Sequence, residues 1–77
     1  MKQTGNLIFD FVQDRYDIRF DVEEYFGGLH CGQTFEIFIN EKWVPARIEF
    51  GSDWYLIIKD GEKDSILKEI YGSKVRI

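Results

Sequence analysis

In "RYDIRFDVE", Tyr16, Ile18, Phe20 and Val22 fall on one side of an extended chain and Asp17, Arg19, Asp21 and Glu23 on the other. Successive side chains of a strand alternate between faces, so this period of two predicts a half-buried strand. The same rhythm recurs along the chain. "NLIFDFV" puts Leu7, Phe9 and Phe11 on one face, and a hairpin loop at residues 13–15 follows. Phe35, Ile37 and Ile39 alternate with Thr34, Glu36 and Phe38, and residues 40–42 make the next turn. Val44, Ala46, Ile48 and Phe50 then point inward, with Trp43, Arg47 and Glu49 opposite. "GSD", residues 51–53, turns the chain again. "WYLII" is apolar on both faces, as expected of a central or wrapped strand. "KVRI" reads as a last short strand.

Two stretches depart from this rhythm. Pro45 cannot donate a ladder hydrogen bond, so it belongs at an edge or beside a bulge that bends its strand. In "DSILKEIYG", Ile66, Leu67, Ile70 and Tyr71 recur at helical spacing between a capping Asp64 or Ser65 and Gly72. A short helical turn over residues 65–71 is therefore expected. The pattern as a whole predicts a mainly β domain. Its expected form is a small antiparallel SH3-like barrel of about six short strands with that one helical turn. The alternative is an open twisted antiparallel sheet covered by the helix.

Size narrows the picture. A chain of 77 residues is one domain, residues 1–77, and buries roughly 63% of its unfolded surface. The seven Phe, four Tyr and two Trp suit a core that must be built from few side chains. One cysteine excludes an intramolecular disulfide and suits a reducing cytosol. No apolar run approaches the roughly 18 residues of a membrane span, and Asp10 interrupts an apolar signal core near the start. The expected location is cytoplasmic. The net charge of −4 and the scattered arginines argue against a large basic footprint for nucleic acid.

The lone His30 and Cys31 are neighbours, but extended neighbours point to opposite faces, out of reach of the Cys–His hydrogen bond that a nucleophilic pair needs. A structural zinc site needs four ligands, and one His with one Cys cannot supply them. The expectation is a buried structural cysteine. "GGLHCG" lacks the Lys-Ser/Thr of a phosphate-binding loop and precedes no helix. No cofactor, metal or catalytic residue is assigned, and an enzyme is not expected. Trp43, Arg47, Glu49, Trp54 and Tyr55 flank one hairpin and form the candidate binding surface, because Trp, Tyr and Arg anchor interfaces. The bland reading of the same residues is that both tryptophans cover the core and Arg47–Glu49 is an ion pair.

"RYDI", "GGLHCGQTFEIFIN", "WVPARIEFGSDWYLI" and "KVRI" resemble a small uncharacterised domain family of Gram-positive bacteria, whose members are often encoded on mobile elements. The likeness runs from Gly5 to Ile77. It implies a compact β domain and brings no activity or catalytic residue with it. The expected function is a non-enzymatic protein-binding module or an accessory protein of a mobile element. The partner is an unidentified protein, and an exposed edge strand invites a homodimer. The alternative is a nucleic-acid-binding barrel using Trp43, Tyr55 and Arg47 for stacking and phosphate contact.

Overall fold

The computed structural model describes residues 2–77. They form eight strands: β1 (Thr4–Asp10), β2 (Arg15–Asp21), β3 (Glu24–Tyr25), β4 (Thr34–Ile39), β5 (Lys42–Phe50), β6 (Trp54–Asp60), β7 (Lys63–Leu67) and β8 (Lys74–Arg76). All lie in one antiparallel sheet in the order β3-β2-β1-β8-β4-β5-β6-β7. The chain builds one end as β1–β3 and the other as the meander β4–β7. It then returns to insert β8 between β1 and β4.

The apolar alternation sets the register. Leu7 opposes Ile18, Ile37 opposes both Val44 and Val75, Ile48 opposes Leu56, and Leu56 opposes Leu67. These residues share one face, the inner one, and a slip of one residue would turn each of them to water. Leu7, Ile18, Ile48, Leu56 and Val75 are fully buried. Each such side chain stabilises the fold by about 1.5–3 kcal/mol.

With no second layer to cover that face, the sheet packs on itself. Tyr16 in β2 and Trp54 in β6 are five strand positions apart, about 24 Å in a flat sheet. Their ring centroids lie 6.4 Å apart. The sheet is therefore curled, and its halves meet along the inner face. At 18 Å, the thinnest dimension of the molecule accommodates two backbones about 10 Å apart with their outer side chains. Gly5 is buried in β1 beside Ile18 and Arg19 of β2. A Cβ there would lie 2.5 Å from the Arg19 carbonyl oxygen.

The segment between β3 and β4 clamps the curl. The Leu29 N–H donates to the Tyr16 carbonyl in one half, and the Gly32 N–H donates to the Ile48 carbonyl in the other. Leu29 itself is fully buried in the core, as is Ile70 from the segment after β7. Asp17 fixes the start of the clamp. Its side chain is 3% exposed, and one carboxylate oxygen accepts the N–H groups of Gly27 at 3.0 Å, Gly28 at 2.9 Å and Ile18 at 2.7 Å. Gly27 and Gly28 have φ of 115° and 106°, which L side chains rarely adopt. Only glycine therefore aims both N–H groups at the buried carboxylate without strain.

Several expectations change. The sheet is open, with edges at β3 and β7, and is not an SH3-like barrel. Ring closure would require β3 and β7 to pair with each other, whereas β3 pairs with β2 and β7 with β6. The described residues form eight strands, not about six: the two-residue β3 is too short to show an alternation, and β7 occupies part of the stretch with helical spacing. The helical turn over residues 65–71 does not form. Gly61, with φ of 81°, opens a two-residue turn between Asp60 and Lys63, and Lys63–Leu67 runs back along β6. The open alternative holds as an open antiparallel sheet, without its helix. The loop after β1 spans residues 11–14 and carries Phe11 into solvent, 86% exposed. Val22 lies beyond β2 and is exposed. Asn40 and Glu41 form a two-residue turn with φ of 51° and 63°, the signs of a type I′ hairpin. Pro45 opposes Glu36 in β4, one residue outside the β5–β6 ladder, which ends at Ala46–Ile58. It thus sits at a local edge.

Replacing Asp17 by Ala should cost about 2–4 kcal/mol in chemical denaturation, since charge-assisted bonds to the clamp are lost. Asp17→Asn, which keeps an acceptor, should cost less; equal losses would contradict the role given to the carboxylate's charge. Gly5→Ala should destabilise by about 1–3 kcal/mol through overpacking against β2, and a neutral effect would mean that the close approach is not real.

Candidate functional site

The five residues singled out from the sequence divide between the two faces. Trp43, Arg47, Glu49 and Tyr55 alternate away from the core and lie on the outer face; Trp54 opposes Phe50 and lies on the inner one. All five are half-buried. Arg47 Nε donates to Glu49 Oε2 at 2.7 Å, an ion pair between alternate residues of one strand. Tyr55 stands opposite Glu49. Trp54 packs its ring 4.9 Å from Phe50 and continues a row through Tyr16 and Phe9 to Phe11. Within this row Tyr16 and Trp54 pack against the core, while Phe11 and Phe50 at its ends are exposed. Burial, with Asp53 and Tyr71 nearby, pushes the Tyr16 phenol above its ordinary value of 10.0. Trp54 and Tyr55 meet only beside a groove of about 300 Å³ near β7.

The outer face has a centre that the sequence reading did not assemble. Phe38 stands opposite Trp43, with ring centroids 5.1 Å apart. From β8, the Arg76 guanidinium lies 4.4 Å from the Trp43 ring and Lys74 Nζ lies 4.9 Å from the Phe38 ring. Contacts of cations with aromatic faces are attractive by about 0.5–1 kcal/mol at exposed sites. Arg76 Nε also donates to Glu36 Oε1 at 2.7 Å, and Lys2 pairs with the same carboxylate. The bond from Arg76, then that from Lys2, holds the Glu36 carboxyl below its ordinary 4.5. Among the described residues Lys74 forms no ion pair. Two sequence signals mark this cluster. Phe38 is the one apolar residue on the polar side of "TFEIFI", and Lys74 and Arg76 flank the inward Val75.

His30 and Cys31 are both exposed, at the turn that follows the buried Leu29. The expectation of a buried cysteine is therefore corrected: Leu29 takes the core position and the chain turns outward after it. An Arg15 N–H donates to His30 Nδ1 at 2.8 Å, so the histidine is tied to β2 and not to the thiol. Among the described residues no three His, Cys, Asp or Glu side chains gather as a metal site would require.

A family model described as a domain of unknown function (DUF5348) matches residues 5–77. The chain belongs to this family. A crystal structure of a protein from Ruminococcus gnavus, a target of the Northeast Structural Genomics Consortium, is 43% identical and superposes with a TM-score of 0.80. The match covers 97% of this chain and 100% of the other. No curated protein matches the sequence. The DUF5348 assignment agrees with a small uncharacterised family and gives no specific function.

A lowered Glu36 pKa means that its pairing contributes stability above pH 4.5 and loses it as pH falls through the lowered value. Carboxyl NMR titration should place the Glu36 midpoint below 4.5, and Arg76→Gln should move it upward. A midpoint that ignores the substitution would contradict the pairing.

Proposed function

We propose that the domain is a non-enzymatic protein-binding module of the cytoplasm, an accessory of a mobile element in a Gram-positive host, which engages its partner on the outer face around Trp43 and Phe38. The observation that carries this reading is the surface aromatic pair at the middle of the sheet, the exposed Phe38 beside the half-buried Trp43, with Arg76 and Lys74 laid against it. Protein interfaces gather aromatic side chains and arginine at their centre and leave charges to the rim. Glu36 and Glu49 each neutralise a neighbouring arginine, so the face is aromatic first and charged second. The family resemblance supports the mobile-element setting. The exposed thiol of Cys31 suits a reducing compartment.

Nucleic acid is the second reading, since Trp43, Tyr55 and Arg47 do share the outer face. Phosphate binding draws on several unneutralised cations, whereas Arg47 and Arg76 are already paired with carboxylates. The protein reading therefore has more support.

Immobilised wild-type protein should retain one specific protein from lysate of the source organism. Trp43→Ala, shown to be folded by circular dichroism, should lose it, while Phe11→Ser on the inner-face row should keep it. Equal retention by the wild type and both variants, or retention of nothing, would count against the proposal. A salt-dependent gel shift abolished by Trp43→Ala would replace it with the nucleic-acid reading.

A further inference from the structure

β7 ends the sheet and pairs with β6 alone. Asp60 and Lys63 flank a two-residue turn and so form the first hydrogen-bonded pair of the hairpin. Bonded and non-bonded pairs alternate from there, which turns the N–H and C=O groups of Asp64 and Ile66 away from β6. Among the described residues, no backbone bond from outside the hairpin meets them. Ile66 is 65% exposed and stands beside Ile57 on the outer face. The opposite edge, β3, has two residues and an irregular register with β2, a common way to blunt an edge. β7 has no such device except its charges.

Those charges select a partner. Only even-numbered residues present free backbone groups, so a strand added by a second copy must set even residues opposite even residues. A register centred on Asp64 puts two aspartates together, and one centred on Ser65 sets Asp64 against Ile66. A register centred on Ile66 pairs Ile66 with Ile66, Asp64 with Lys68, and Lys63 with Glu69. Lys68 and Glu69 continue the chain directly after β7 and are exposed. This register alone has an apolar pair at its centre and opposite charges on both sides. We propose that β7 is a dimerisation edge, pairing antiparallel with β7 of a second copy about a two-fold axis at Ile66. The inference goes beyond the proposed function, because it uses the sheet edge and holds whether or not the Trp43 face binds anything.

Sedimentation equilibrium of the whole chain from about 10 μM to about 1 mM tests it. A reversible monomer–dimer equilibrium is expected, and Ile66→Lys should abolish it. Asp64→Lys faces Lys68 across the axis twice and should weaken association about tenfold, while Asp64→Lys with Lys68→Asp should return it to within about threefold of wild type. Wild-type amide resonances over residues 63–69 should shift with concentration, which makes the test independent of whether a variant folds. A monomer at every concentration would overturn the proposal. So would a dimer indifferent to Ile66→Lys, a charge swap that fails to restore association in a folded variant, or concentration-dependent shifts confined to other strands.

Discussion

A single sheet with one oily face has nothing to pack against except itself. Among the described residues of this chain there is no helix to lay over the core, so the inner face is buried only because β1 and β2 fold back towards β5 and β6. Curling brings Leu7 and Ile18 onto Ile48 and Leu56, and two non-strand residues, Leu29 and Ile70, complete the core. The segment that carries Leu29 bonds to β2 at one end and to β5 at the other. It is anchored by a carboxylate that three backbone N–H groups satisfy. A buried carboxylate without those donors would be strongly unfavourable. The Asp17–Gly27–Gly28 arrangement is thus a condition of the curl as well as a product of it.

The curl also decides what is available for function. Of the aromatic side chains on the inner face, Tyr16 and Trp54 are used to cover the core, and Phe9 stacks edge-on beside Tyr16. Those on the outer face do not cover the core. Phe38 and Trp43 stay at the surface because β4 and β5 already bury their other sides, and β8 brings two cations beside them. The site is a consequence of threading β8 into the middle of the sheet.

Much of this was legible in the chain. Alternation alone placed Tyr16, Ile18, Phe35, Ile37, Val44, Ala46 and Ile48 on one face and Arg47, Glu49 and Trp43 on the other, since period two is a local property of extended backbone. Closure was not legible, because a barrel and a curled open sheet have the same local pattern and differ only in whether the end strands bond. Residues 65–71 misled because Ile66, Leu67, Ile70 and Tyr71 fit helical spacing, although they divide between the outer face, the core and solvent. The two-residue turn at Gly61 decided the matter in favour of a strand. Trp54 and Trp43 flank one hairpin in sequence, but strand parity puts them on opposite faces. Lys74 and Arg76 were missed because only the long-range insertion of β8 brings them to Trp43.

Native-state hydrogen exchange tests the clamp most directly. If the curled sheet depends on it, the amides of Gly28, Leu29 and Gly32 open only when the whole molecule unfolds. They should then exchange within about tenfold of the β5–β6 amides around Ile48 and Leu56. Exchange about a thousandfold faster at those three positions, with β5 and β6 still protected, would show that the segment is a surface loop and that the sheet is held by something else.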